Sequence, residues 1–163
     1  MMYYYGRGVK QNGKLAAVLF GKTAKGGQIA GYYWLGYMFF AGNTLKKDKK
    51  KGVDLLFRAV RRGYQPARMY AITIAQKLLK KKGYDPGPAD GEMGSRTRGA
   101  IAAYRRKANL AGKPVVDKPL LHSLNTVTHR AGSFTFANAS ATQSPNDDRE
   151  VYGKAISLPG DEK

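Results

Sequence analysis

Three groups of side chains have types and spacing that could do chemistry. Asp85, Asp90 and Glu92 fall within one short stretch, and paired carboxylates of this kind could cleave a glycosidic bond, one as general acid and one as base or nucleophile. All three sit among prolines and glycines, however, where Asp commonly bonds its own backbone, and Asp90-Gly91 reads as a turn. A structural role is therefore expected for them. His122 and His129 have no cysteine partner and no carboxylate at metal-ligand spacing, so no zinc site is expected. Nothing pairs a nucleophile with a base, and no glycine motif is spaced to cradle phosphate. The expectation is a non-catalytic chain that uses no cofactor.

Charge is the third group. The 163 residues hold 29 Lys and Arg against 11 Asp and Glu, a formal net charge of +18. Residues 1–75 carry 14 basic and 2 acidic side chains, residues 76–125 carry 11 and 4, and residues 126–163 carry 4 and 5. Basic runs recur at Lys46, Lys47, Lys49, Lys50 and Lys51, at Lys80, Lys81 and Lys82, and at Arg105, Arg106 and Lys107. Each run alone reads as a solvated face, but together they make a surface that attracts RNA, an anionic membrane or another polyanion. These eleven residues are the expected polyanion contacts, and their binding should weaken steeply with salt.

The elements that must position these groups follow from spacing. Gly83 to Ile101 holds two prolines, five glycines and two aspartates, so its front end is a shaped loop rather than regular structure. From Ser95, with Ile101, Tyr104 and Ala108 at helical spacing, the loop runs into a helix that Ser95 or Gly94 can cap. Before the loop, Ile74, Leu78 and Leu79 form a helical stripe that Gly83 ends. After it, Val115 to Leu124 reads as a short third helix, with Asp117 as cap and Pro119 in its first turn. Three helices surround one loop.

At this point the chain resembles peptidoglycan-binding-like domains. The resemblance is carried by Gln76, Leu79, Gly83, Tyr84, Pro86, Gly87, Pro88, Asp90, Gly91, Gly94, Thr97, Arg98, Ala100 and Ile101, and it covers roughly residues 74–125. It implies a shallow ligand-binding groove for muropeptide beside the loop and the second helix, near Tyr84, Asp90, Arg96, Thr97 and Tyr104. Where such relatives usually have a Phe-Gln pair in the second helix, this chain has Tyr104 and Arg105.

Residues 1–72 contain an internal repeat. Sliding the sequence by 36 positions sets Gly6 on Gly42, Asn12 on Asp48, Lys22 on Arg58, Gly27 on Gly63 and Gly31 on Ala67, and a period in the thirties marks stacked helical pairs. Gly36, Gly42 and Ala67 are expected to let antiparallel helices approach closely, with Tyr37, Phe39, Leu55 and Leu56 filling the seam. Of the aromatic run Tyr32, Tyr33, Trp34, Tyr37, Phe39 and Phe40, most are expected in the core, with Tyr32 or Tyr33 as an exposed exception. The pattern resembles the Sel-like repeat family, relatives of tetratricopeptide repeats, with Gly52 and Val60 where Ala is usual. About two units are present, the first beginning halfway, at Tyr3-Tyr4-Tyr5. Pro66 can open a helix, and no breaker follows before Lys82, so the last repeat helix is expected to run straight into the second module.

Residues 126–163 are low in aliphatic side chains and rich in Ser, Thr, Ala and Asn, which reads as an extended or disordered tail. Within it, Ser133 to Ala137 alternates around Phe134 and Phe136. The start of the chain lacks a charged segment followed by an apolar run, so no secretory signal is expected there. Ile29 to Ala41 is too short and too rich in Gly and Tyr for a membrane span.

The fold expected is all-α: Sel-like helical repeats over 1–73, a three-helix peptidoglycan-binding-like module over 74–125, and a tail over 126–163. The function expected is a non-catalytic binding or scaffold protein, with protein partners on the repeats and peptidoglycan or another anionic ligand on the module. The resemblance implies the cell envelope or periplasm. The alternative is a basic structural subunit of a large ribonucleoprotein or membrane-associated assembly, inside an intracellular or organellar complex.

Overall fold

The computed structural model describes residues 1–126, so the readings made on His129, Phe134, Phe136 and the tail lie outside the described residues. Among the described residues there are seven helices and no strand: α1 (Met2–Tyr5), α2 (Gly13–Lys25), α3 (Ile29–Ala41), α4 (Lys49–Arg61), α5 (Gln65–Lys81), α6 (Ser95–Lys107) and α7 (Lys118–Asn125).

The 36-residue repeat is visible in the backbone. Asn12 caps α2 by accepting from the Leu15 amide at 3.0 Å, and Asp48 caps α4 by accepting from the Lys51 amide at 2.9 Å. Both caps hold nearly the same extended conformation, φ −142° and ψ 93° against φ −139° and ψ 91°. A side-chain oxygen on an otherwise unpaired first-turn amide is worth about 1 kcal/mol, so these two residues fix where each helix begins. The helices then end in register. Gly27 and Gly63 turn the chain at φ +85° and +79°, a conformation that favours glycine, and α3 and α5 start 36 positions apart.

The seam between α3 and α4 is set by two glycines. A Cβ on Gly36 would lie 2.9 Å from the Gly52 carbonyl oxygen and the Leu56 amide, and a Cβ on Gly52 would lie 2.8 Å from the Phe40 amide. Backbone therefore meets backbone, which explains glycine at 52 where the repeat family usually has alanine. Gly31 does the same between α3 and α2, since its Cβ would fall 2.5 Å from the Ala24 amide. Its counterpart Ala67 is buried. Gly42 differs from expectation: it is the left-handed residue that ends α3, at φ +73°, rather than a crossing point. Around the crossings the core is Leu35, Met38, Val53, Leu55, Leu56 and Ala59, while Tyr37 and Phe39 are half-buried.

The helix α5 runs through position 73 without a break, so no helix boundary falls at the expected junction. Pro66 lies in its first turn, where a missing amide costs nothing. Asp117 caps α7 by accepting from the Leu120 amide at 2.9 Å; the helix begins at Lys118, leaving Val115 and Val116 in the connection before it. Gly94 stands at the cap position of α6 without a side-chain bond. α7 packs on α5 and also reaches back to α4. There, Asp54 receives Lys118 Nζ at 2.7 Å and His122 Nε2 at 3.3 Å. Residues Met1–Thr126 form one compact unit.

Candidate functional site

The loop between α5 and α6 is built around one buried side chain. Gln76, near the C-terminal end of α5, donates from Nε2 to Asp90 Oδ1 at 2.9 Å, to the Glu92 carbonyl at 3.1 Å and toward Thr97 Oγ1 at 3.2 Å. Its Oε1 accepts from the Gly91 amide at 3.0 Å. Gly91 sits at φ +84°, and a Cβ there would lie 3.0 Å from the Met69 carbonyl, so the loop can lie this close to α5 only with glycine at that position. Thr97 Oγ1 completes the clasp by donating to the Pro86 carbonyl at 2.8 Å.

Two aspartates shape the outer side of the loop. Asp90 Oδ1 accepts from the Glu92 amide at 2.8 Å as well as from Gln76, and these bonds to the charged form hold its carboxyl below the usual carboxylate range. Asp85 accepts from the Arg96 guanidinium and from the Gly87 amide, which lowers its pKa in the same way. The carboxylates of Asp85 and Asp90 thus stay ionised near neutrality, each bonded to the loop's own backbone.

The five groove residues expected from sequence divide into two sets. Thr97 is 2% exposed and fully engaged, and Tyr104 is 6% exposed with its hydroxyl 2.8 Å from Ser123 Oγ. Both side chains are buried beside the expected groove and not open to it: Thr97 faces Gln76 of α5 and the Pro86 carbonyl, and Tyr104 faces Ser123 of α7. Asp90 and Arg96 are exposed, and Tyr84 is half-buried with its ring edge-on to Tyr104 at 5.7 Å. Asp85, absent from that expected set, joins them; its side chain is 72% exposed and that of its partner Arg96 63%. The open edge of the module is therefore Tyr84, Asp85, Asp90 and Arg96.

The basic runs divide similarly. Lys46, Lys47, Lys50, Lys80, Lys81, Arg106 and Lys107 are exposed, Lys49 is half-buried, and none has an ion pair among the described residues. Lys51 is half-buried, with Nζ 4.6 Å from the centre of the Phe39 ring, and Lys82 donates to the Thr126 carbonyl at 3.3 Å. Arg105 corrects expectation. It is 3% exposed, pairs with Asp117 at 2.6 Å, and donates to the Ala111 and Val115 carbonyls at 2.6 and 3.3 Å. A guanidinium so placed fixes the connection into α7 and is closed to any polyanion. The two departures from the family pattern, Tyr104 and Arg105, thus both tie α6 to the segment after it.

The aromatic run also departs in part. Tyr32 is buried under the Arg62 guanidinium, whose carbon stands 4.8 Å from the ring centre, and Tyr33 is half-buried, so neither is the exposed exception. Tyr33, Trp34, Tyr37 and Phe40 instead join Tyr4, Tyr5, Phe20, Tyr64 and Tyr70 in a continuous network of ring contacts at 4.8 to 6.5 Å. Burial, then the Tyr37 hydroxyl, pushes the Tyr4 phenol up to about 12. Among the described residues no three His, Asp or Glu side chains are grouped to hold a metal ion, and no helix is long and apolar enough to cross a membrane.

Comparison with protein families matches this architecture. The family model for the Sel1 repeat matches residues 1–28 and again 29–64, and that for a peptidoglycan binding domain matches residues 68–114. No curated protein and no solved structure matches the chain. The Sel1 matches end at residue 64, just before α5, and the peptidoglycan-binding match begins inside that helix.

Proposed function

From a chain that carries two Sel1 repeats followed by a peptidoglycan-binding domain, we infer a non-catalytic scaffold that holds peptidoglycan on the second module and a protein partner on the repeats. Both domain types are typically non-catalytic, and their combination supports a binding role. The observation that carries the finer reading is the division of labour within the loop. Gln76, Gly91 and Thr97 hold it rigid from below, while Tyr84, Asp85, Asp90 and Arg96 lie on its open side. A rigid edge offering an aromatic ring, two carboxylates and a guanidinium suits a glycan bearing short peptides, since preorganised polar groups lose little freedom on binding. The test is co-sedimentation with isolated peptidoglycan. Arg96→Ala should reduce retention at least fivefold, whereas replacing Lys46, Lys47 and Lys50 by Ala should leave it within twofold at high salt.

A second reading is supported by the exposed lysines and arginines that have no ion pair among the described residues. In it the protein is a basic subunit of a larger ribonucleoprotein or membrane-associated assembly, attached through these side chains. The same two variants separate the readings, because the lysine triple variant would then lose most of its binding and Arg96→Ala almost none.

A further inference from the structure

Where the repeats meet the second module, a cleft of about 130 Å³ opens among α4, α5, α6 and the loops beside them. Its apolar lining includes Phe57 on α4, Ile72 on α5, Met93 in the loop and Val115 before α7, and it also includes Arg68 on α5 and Arg98 on α6. Phe57 and Ile72 are buried, while Val115, Arg68 and Arg98 are exposed. Neither arginine side chain has a hydrogen-bond or ion-pair partner among the described residues. The cleft draws on both family matches, because Phe57 and Val60 fall within the second Sel1 match and Arg68, Ile72, Met93 and Arg98 fall within the peptidoglycan-binding match. It is also separate from the open edge described above: Arg96 and Arg98 are two residues apart on α6, which sets them about 200° apart around the helix.

We propose that this cleft docks an acidic peptide segment of a partner protein, one apolar side chain entering it while neighbouring carboxylates pair with Arg68 and Arg98. Size points to a single anchor. Small-molecule pockets run to about 300–1,000 Å³, so this one has room for a side chain rather than a whole ligand, and one apolar residue in a small pocket is the usual centre of a protein interface. Charge selects the flanking groups, since two partnerless guanidiniums present forks that match carboxylates in two-point contacts. The apolar lining argues against a plain polyanion, because a phosphate or sugar backbone has nothing to place on Phe57 and Ile72.

The test is fluorescence anisotropy on the whole chain, at a salt concentration of about 0.3 M, where long-range attraction is screened. The probe is a labelled Gly-Asp-Glu-Leu-Asp-Gly peptide, compared with the same peptide carrying Ala for Leu. The Leu peptide should bind about tenfold more tightly than the Ala peptide. Arg68→Ala with Arg98→Ala should weaken it tenfold or more, as should Val115→Asp, while the Lys46, Lys47 and Lys50 triple variant should change it less than twofold. Thermal melts of the variants, expected to match the parent because these side chains are exposed, exclude unfolding as the cause. Absence of binding, indifference to the Leu-to-Ala change, or equal loss in the lysine variant would each overturn the proposal. Peptidoglycan retention by the Arg68 and Arg98 double variant should stay at the parent level, so failure here is distinguishable from failure of the wall-binding reading.

Discussion

Replacing Gln76 by Ala tests whether the loop is held as described. Gln76 is 1% exposed, and its amide supplies both a donor shared by Asp90 Oδ1 and the Glu92 carbonyl and the acceptor of the Gly91 amide. Truncation leaves the buried Gly91 amide without a partner, at about 1–3 kcal/mol, and removes one or two further bonds at about 1 kcal/mol each. The expected loss is about 3–4 kcal/mol, a large share of the roughly 5–15 kcal/mol that holds a domain together. At about 4 °C per kcal/mol for a body of this size, Tm should fall by about 12–16 °C. Urea and thermal unfolding followed by circular dichroism measure both quantities, with Lys77→Ala, exposed and adjacent, expected to stay within about 0.5 kcal/mol of the parent. A loss below about 1 kcal/mol for Gln76→Ala would refute the claim that this side chain organises the loop.

Gly52→Ala places a methyl 2.8 Å from the Phe40 amide and should cost about 1–3 kcal/mol by forcing α3 and α4 apart, measured by the same urea titration. Arg105→Ala strands the Ala111 and Val115 carbonyls and the Asp117 carboxylate, and should cost about 2–4 kcal/mol. It should do so without changing polyanion binding when measured on folded protein by heparin-column elution. Asp85 and Asp90 have carboxyls held below their unfolded values, so the stability they contribute is fully present above about pH 4 and is lost as pH falls through their lower folded values. Urea midpoints measured from pH 6 to pH 2 should show this acid loss, and Asp85→Asn with Asp90→Asn should flatten it.

The parts of the fold legible in the sequence are those written locally. Asn12 and Asp48, which the 36-residue repeat sets on each other, each begin a helix, because a cap acts on an amide three residues away. Gly27 and Gly63, paired by the same repeat, are the turns between helices, because glycine takes that backbone shape readily. The loop residues Gln76, Asp90, Gly91 and Thr97 stand out as a motif, yet their spacing does not say that one amide joins them, since 14 to 21 positions separate the partners. The contacts of Asp54 with His122 and Lys118 lie beyond any periodicity, being set by how α7 packs on α4. Arg105 could have been found: it lies four residues after Ile101 and beside Tyr104, on the buried stripe of α6, and its place in a basic run concealed that. Thr97 and Tyr104 lie on that same buried stripe, while Asp90 and Arg96, of the same expected groove set, are exposed.

The proposed role requires that the open edge of the second module recognise peptidoglycan by shape and short-range contacts and not by net charge. Co-sedimentation of the whole chain with isolated peptidoglycan, from about 0.05 to 0.5 M salt beside an RNA control, tests it most directly. Binding by distributed lysines and arginines falls by about a thousandfold or more over even part of that range. Recognition by the open edge should leave peptidoglycan retention within about tenfold while RNA binding disappears. Loss of both along the same salt curve would contradict it and leave charge alone as the source of binding.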